Sequence, residues 1–269
     1  MNTIKLSESQ LYDLLNRPGP LWLRWIEVSS FDFGDANLKD AQLGHARFNQ
    51  CWFSKTILKG ANLGKAKFID CIAPDADMQG ADMRGVGLER TFFENANLHG
   101  ANLEWAIMKK TNFRSSNLQE ANLSLASSLG DCRFTSAVLE GADMMKAKLP
   151  GSRFDGANLQ KANLQEADLS GCDLKNADLR GANLQGTNLN GANLQGANLE
   201  GATGVPIAGP GHRTHRSAPT KSPVIRSKLP GATARTEVDR RSAKSLSKGR
   251  TGPRRSRGSS RGESRFGGS

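Results

Sequence analysis

The side chains best suited to catalysis or metal binding are four cysteines and four histidines, and their spacing forms no familiar site. No Cys-x-x-Cys pair is present, and no histidine converges on the cysteines. His212 and His215 signal metal capture only weakly, because they lie in a segment rich in Ser, Gly, Pro and Arg. Gly85-Val86-Gly87 matches no phosphate-binding loop. The sequence therefore predicts no catalytic residue, no metal ligand and no cofactor.

Composition and charge divide the chain into two unlike parts. Only 37% of the 269 residues are hydrophobic, and no apolar run reaches the roughly 18 residues of a membrane helix. The N-terminal residues lack the basic-then-apolar pattern of a secretory signal, so we expect a cytoplasmic protein. Residues 1–201 carry 21 Lys and Arg against 23 Asp and Glu, whereas residues 202–269 carry 16 against 3. The excess positive charge therefore belongs to an appended basic tail.

A five-residue repeat occupies most of the chain. It is clearest from Gly156 to Glu200, which reads GANLQ-KANLQ-EADLS-GCDLK-NADLR-GANLQ-GTNLN-GANLQ-GANLE. With the central residue as position i, 32 of 34 repeats have Leu, Phe or Met at i, and 32 of 34 have Ala, Cys, Ser or Thr at i−2. A period of five fits neither a helix nor a simple strand. Alternation along an extended segment turns i and i−2 inward and i−1, usually Asn or Asp, outward.

This pattern resembles the pentapeptide-repeat family, whose signature is A-(N/D)-L-x-x, over about 170 residues of the chain. The resemblance implies an all-β fold, a right-handed quadrilateral β-helix with four repeats, or 20 residues, in each coil. We therefore expect an N-terminal helix and cap over residues 1–30, the β-helix over residues 31–202 and a disordered basic tail over residues 203–269. A square prism is convex on every side and offers no cleft for catalysis, so we expect a protein that is not an enzyme.

The column formed by every fourth position i supports a coil of 20 residues. It contains Phe33, Phe53, Ala73, Phe93 and Phe113, and after a one-residue slip near residues 124–131 it continues as Phe134, Phe154, Leu174 and Leu194. We name this side the phenylalanine face. Because the column survives the slip, we expect one 21-residue coil with a bulge at a corner.

The four cysteines share the inward i−2 position of the phenylalanine face. They are Cys51, Cys71, Cys132 and Cys172, and the other faces have Ala at this position in nearly every repeat. Cys51 and Cys71 would lie one coil apart with parallel side chains, which does not suit a disulfide. We interpret the cysteines as small buried hydrophobic residues.

The segment before the repeat predicts a capped helix. Ser7-Glu8-Ser9-Gln10 has the form of a capping box, and apolar residues at helical spacing follow at Leu11, Leu14 and Leu15. A solenoid must cover its first coil, so we expect this helix to cap the rod; a recognition helix is the alternative. The tail after residue 202 is too poor in apolar residues to fold, and we expect it to be disordered.

The outward position of the phenylalanine face departs from the Asn/Asp rule. It carries large apolar residues in three successive coils and arginine in two later coils: Trp52, Ile72, Phe92, Arg133 and Arg153. One interpretation is a partner-binding stripe, since contiguous exposed apolar groups mark interaction sites. The other is that the N-terminal helix folds over the three apolar residues.

Three functions stay open at this stage. The first is a protein-interaction scaffold or regulator with a basic tether, as the resemblance implies for the many members of the family found in bacteria, cyanobacteria above all. The second, also implied by the resemblance, is a DNA mimic that inhibits or protects gyrase, although the nearly neutral body argues against it. The third is charge-driven binding of nucleic acid or an anionic membrane by the arginines of the tail: Arg240, Arg241, Arg250, Arg254, Arg255, Arg257, Arg261 and Arg265. End-on stacking of rods could also form an oligomer.

Overall fold

The computed structural model describes residues 4–205, so the predicted disordered tail lies outside the described residues from residue 206 onward. In chain order the elements are β1 (Ile4–Lys5), α1 (Glu8–Leu15), β2 (Ile26–Ser29), β3 (Arg47–Asn49), β4 (Lys67–Ile69), β5 (Gly87–Glu89), β6 (Ile107–Lys109) and β7 (Ser127–Ser128). The seven strands form one parallel sheet in the order β1-β2-β3-β4-β5-β6-β7. Isolated parallel bridges extend the same pairing over the other sides of the coil. The fold is therefore a parallel β-solenoid with one short helix, as the repeat predicted.

The bridges define four faces by their outward residues. Along one coil the chain passes from the phenylalanine face (Asp32 to Asn193) to the second face (Asn37 to Asn198), the third face (Trp22 to Thr203) and the fourth face (Glu27 to Asn188). Partners such as Trp52 and Ile72 are 20 residues apart, so each coil has the predicted four repeats. Residues in one column are thus neighbours in space.

The predicted bulge is present in the coil that follows residue 112. Four bridges join residues 21 apart, from Asn112–Arg133 to Ser127–Lys148, before the spacing returns to 20. The extra residue lies at the corner after β7, where Leu129 is 62% exposed and Gly130 has φ of 99°. The bulge absorbs one residue without exchanging inward and outward positions.

An aromatic column runs through the core behind the phenylalanine face. Phe113 and Phe134 stack with ring centroids 5.1 Å apart, so the column crosses the bulge as predicted. Ala73 leaves a gap in the column, and Phe68 of the fourth face fills it, lying 5.4 Å from Phe53 and 6.4 Å from Phe93. The sequence does not reveal this substitution, because the filling residue belongs to another column.

Several small inward residues of the phenylalanine face also donate hydrogen bonds. The Cys71 Sγ donates to the Phe48 carbonyl (3.3 Å), and the Thr91 Oγ1 donates to the Phe68 carbonyl (3.1 Å), each 23 residues earlier in the chain. Cysteine and threonine in this column can therefore act as buried donors, which alanine cannot. All four cysteines are free and buried, and burial raises the pKa of the Cys172 thiol to about 12.

The outward Asn and Asp residues serve the backbone and each other. The Asn163 side-chain amide donates to Asp143 Oδ1 (3.0 Å), and the Asn183 side-chain amide donates to Asn163 Oδ1 (3.2 Å). The same oxygens accept the backbone N–H two residues later, as Asn163 Oδ1 does from Gln165 (3.3 Å). These ladders explain why Asn or Asp is the ordinary outward residue.

The N-terminal segment caps the rod as expected. In α1 the Ser7 hydroxyl accepts from the Gln10 backbone and the Gln10 side chain accepts from the Ser7 backbone, which completes the capping box. Leu11 is buried, and the ring of Tyr12 lies 5.2 Å from that of Phe31. β1 adds a further strand above β2.

The first coil begins earlier than the expected boundary at residue 31. Trp22 already bridges Gln42, and Glu27 pairs with Arg47. Leu21 and Ile26 occupy the inward i−2 positions of these repeats and are buried. These residues are larger than the Ala, Cys, Ser or Thr of the later repeats, so the rule of a small i−2 residue placed the boundary too late.

Candidate functional site

The apolar stripe on the phenylalanine face is exposed. Trp52, Ile72 and Phe92 are 42%, 40% and 44% accessible, and they are joined in register by parallel bridges. The N-terminal helix packs on the end of the rod, with Leu11 in the core and Tyr12 against Phe31. The interpretation that this helix covers the stripe is therefore wrong, because the helix is occupied in closing the first coil.

The backbone beneath the stripe is held by hydrogen bonds on both sides. The Ile72 N–H donates to the Cys51 carbonyl (3.0 Å). The Ile72 carbonyl accepts a hydrogen bond from the Phe53 N–H of the preceding coil (2.7 Å). The Phe92 N–H likewise donates to the Cys71 carbonyl (3.0 Å). The three side chains thus stand on a ladder with a strand spacing of ~4.8 Å, and little backbone movement is open to them.

A cluster of ion pairs lines the corner between the fourth face and the stripe. The Arg90 guanidinium binds both Asp70 oxygens (2.5 and 2.8 Å) and also contacts Glu89, which Lys109 Nζ reaches at 2.9 Å. Arg90 holds the pKa of Asp70 below its ordinary value, and Lys109 together with Arg90 does the same for Glu89. The stripe is thus bordered by fixed charges of both signs.

The lower part of the phenylalanine face is basic. Arg133 and Arg153 are exposed and occupy bridged positions in adjacent coils. Neither forms an ion pair with a carboxylate among residues 4–205. Like charges directly opposite each other on adjacent strands are unfavourable, so this arrangement favours an anionic group between or above them.

Sequence reasoning missed further exposed apolar side chains away from the phenylalanine face. Ile57 on the second face is 38% accessible, Ile107 on the fourth face is 50% accessible, and Trp105 at the corner between the third and fourth faces is 57% accessible. The sequence analysis singles out departures from Asn or Asp on the phenylalanine face alone. The Asn/Asp rule, applied to the outward positions of the other faces, also identifies Trp22, Ile57 and Ile107.

The described residues contain no group of three or more His, Cys, Asp or Glu placed to hold a metal ion. Within residues 4–205, no helix has both the length and the apolar character needed to cross a membrane. The tail arginines predicted to bind polyanions, from Arg240 to Arg265, lie outside the described residues.

The comparisons with known proteins agree with the geometry. The family model "Pentapeptide repeats" matches in eight copies between residues 36 and 203. The chain therefore belongs to the pentapeptide-repeat family. No curated protein sequence matches the chain significantly.

Solved structures of pentapeptide repeat proteins are similar to the chain. HetL, involved in heterocyst differentiation regulation in the cyanobacterium Nostoc sp. strain PCC 7120, is 31% identical; the match covers 75% of this chain and 96% of HetL with a TM-score of 0.36. A trypsin-treated variant of QnrB1, a plasmid-mediated fluoroquinolone resistance protein, is 16% identical; the match covers 64% of this chain and 91% of that one with a TM-score of 0.53. The QnrB1 likeness shows a common fold.

Proposed function

We propose that this chain is a non-catalytic interaction module that binds a protein partner through its phenylalanine face. The observation that carries the proposal is the stripe of Trp52, Ile72 and Phe92, which is about two-fifths exposed at positions where the repeat ordinarily has Asn or Asp. Those polar residues would extend the stabilising side-chain ladders seen on the other faces. Apolar residues at these positions give up such hydrogen bonds and still leave about two-fifths of their surface in contact with water, which favours a function in binding.

The charges on the same face define the chemistry of the partner. Apolar side chains occupy its upper coils, and Arg133 and Arg153 occupy its lower coils without carboxylate partners among residues 4–205. From Trp52 to Arg153 is five coil steps, or roughly 24 Å at ~4.8 Å per strand, which is the length of a helix of about 16 residues. A partner segment that is apolar at one end and acidic at the other fits this face.

Replacing both aromatic anchors should abolish partner binding and leave the fold intact. Each well-packed aromatic anchor contributes ~2 kcal/mol or more to binding, so losing both in Trp52→Asn with Phe92→Asn should weaken affinity by about 700-fold or more. Asn is the ordinary residue at this position, so the melting temperature should change little. Partners captured from the native cell extract by the full chain, identified and then titrated against purified variants, provide the measurement.

The chain offers a matched control on the opposite face. Trp22 has the same outward repeat position on the third face and is 77% exposed. Trp22→Asn should leave partner affinity unchanged. If the double variant of Trp52 and Phe92 keeps both its stability and its partners, the stripe is incidental surface and the proposal fails.

A gyrase-directed DNA mimic is the weaker proposal. Such a protein needs a continuous negative surface, and here basic residues occupy outward positions on two faces: Arg47, Lys67, Arg133, Lys148 and Arg153. Arg47 and Lys67 are directly paired between β3 and β4. These neighbouring positive charges interrupt an acidic track along the phenylalanine face and the fourth face.

The basic tail favours a second activity, charge-driven binding of polyanions. Residues 202–269 carry a net charge of 16 minus 3, or +13, whereas the body is nearly neutral. Truncation after Ala202 should therefore abolish retention on heparin at moderate salt, because such binding depends steeply on phosphate or sulfate contacts with Lys and Arg. Heparin chromatography of the full and truncated chains measures this. Undiminished retention would instead place the basic site on the Arg133 and Arg153 surface.

A further inference from the structure

A notch with a volume of ≈ 380 Å³ opens at the corner between the third and fourth faces, away from the stripe. Its walls include Arg24, His45, Lys65, Arg84, Glu104 and Trp105. A concavity is unusual on a convex rod, and this volume falls in the range of small-molecule sites, roughly 300–1,000 Å³.

Two glycines create the notch. Gly44 and Gly64 are stacked at the first corner position of successive coils, and neither has a positive φ. The turn therefore does not require glycine at either residue. A Cβ on Gly44 would lie 3.5 Å from Arg24 Nε and a Cβ on Gly64 would lie 3.3 Å from Asn62 Oδ1, so larger side chains would fill the space. Because these glycines have no side chains, they leave open space at the bottom of the notch.

Of the cationic side chains that line the notch, some have a carboxylate partner and others have none. Asp82 binds Arg84 through two contacts (2.9 and 2.6 Å), and Glu104 accepts from the Trp105 Nε1–H (2.9 Å). Within residues 4–205, no carboxylate pairs with Arg24 or Lys65. The two acidic groups of the notch are thus already engaged, and two cations face the space without partners.

The aromatic groups give the notch flat surfaces. The His45 imidazole stacks on Trp25 with centroids 3.8 Å apart and planes 8° from parallel. Burial lowers the pKa of the His45 imidazole, and the positive charges of Lys65 and Arg24 lower it further, which favours the neutral ring. Trp105, on the far side, exposes 57% of its surface. The His45 imidazole, the exposed ring of Trp105 and two cations without carboxylate partners therefore line one cavity.

We propose that this notch binds a small molecule in which a carboxylate or phosphate is attached to a planar ring, with Arg24 and Lys65 holding the oxyanion and Trp105 contacting the ring. Charge-assisted hydrogen bonds from Arg and Lys are the strong contacts available to such an anion. Stacking on an indole adds affinity that a ring-free anion cannot gain. The site is independent of the phenylalanine face and of any protein partner.

The pKa of the His45 imidazole should show whether a ligand occupies the notch. An anion beside Lys65 and Arg24 offsets their charge, so binding should raise the pKa of the His45 imidazole toward its ordinary value. We would follow the His45 ring resonances by NMR over a pH series in the full chain, assigned with His45→Gln, while adding phenyl phosphate, benzoate, inorganic phosphate or benzyl alcohol. Phenyl phosphate or benzoate should raise this pKa saturably, and the stronger of the two identifies the anion. Inorganic phosphate should act more weakly, and neutral benzyl alcohol should leave the pKa unchanged.

Substitutions distinguish specific binding in the notch from a general effect of ionic strength on the His45 pKa. Lys65→Gln and Arg24→Gln should each weaken phenyl phosphate binding by about tenfold or more, whereas Lys59→Gln, which removes the same charge at another corner, should not. Trp105→Ala should reduce the preference for phenyl phosphate over inorganic phosphate. A His45 response that never saturates, or that is equal in the Lys65 and Lys59 variants, would overturn the site. Equal affinity for phenyl phosphate and inorganic phosphate would overturn the role of the ring.

Discussion

Leu164→Asp should unfold the rod far below the wild-type melting temperature. Leu164 is completely buried at position i of the third face, in the column that contains Met144 and Leu184. The substitution removes a well-packed leucine, which alone costs about 2–5 kcal/mol, and adds a carboxyl group whose burial without a partner costs several kcal/mol more. Neighbouring coils should open with it, because each coil is covered only by the next. Circular dichroism during heating measures the change.

The adjacent residue provides the control for Leu164→Asp. Gln165 follows at the first corner position, where Asp155 stands naturally two repeats earlier. Gln165→Asp adds the same charge one residue away and should change the melting temperature by no more than a few degrees. Similar melting of Leu164→Asp and wild type would contradict the inward assignment of position i.

Deletion of Leu129 should leave a folded rod, whereas deletion of Gln119 should not. Without Leu129, the corner after Ser128 retains Gly130 and Asp131, the two corner residues of an ordinary repeat. The coil then has 20 residues like its neighbours, and the lost contact is the Leu129 N–H bond to the Met108 carbonyl (2.6 Å). The side chain itself is mostly exposed, so little burial is lost.

Deletion of Gln119 removes a residue from an ordinary corner instead. One residue must then span the turn, or the following segment must slip by one position and exchange its inward and outward side chains. We expect loss of cooperative unfolding in this variant and a melting temperature within a few degrees of wild type in the Leu129 deletion. Equal damage from both deletions would mean that the bulge is not a removable insertion.

The repeat made the coil predictable because its inward positions are chemically distinct. Leu or Phe at i and Ala at i−2 identify the core residue by residue, and the survival of the phenylalanine column located the bulge. The corners were not predictable. Their second residue lies in the left-handed region even where it is not glycine, as at Lys55 (φ 57°) and Leu125 (φ 58°). Stacking enforces this conformation, although it costs such residues roughly 1–2 kcal/mol each.

The candidate sites were predictable only in part. The stripe is visible in the sequence because Trp52, Ile72 and Phe92 break a rule at one position of one face. The exposure of the stripe was not predictable, because the sequence before the repeat contains a helix that could have covered it. The notch depends on what surrounds two glycines, Gly44 and Gly64, in adjacent coils. Glycine is common at corners for conformational reasons, so the sequence cannot distinguish one that leaves a space.

The stacking of 20-residue coils also determines how the rod would respond to a pulling force. Every coil is one layer, ~4.8 Å thick, held to its neighbours by parallel backbone hydrogen bonds. Stretching one coil would release a contour length of roughly 70 Å at ~3.5 Å per residue. A chain pulled from its end would therefore lengthen in nearly equal increments, one coil at a time, with a single increment one residue longer where the bulge lies. Under a pulling force the folded rod would therefore extend in discrete steps, and the force would fall each time a coil opens.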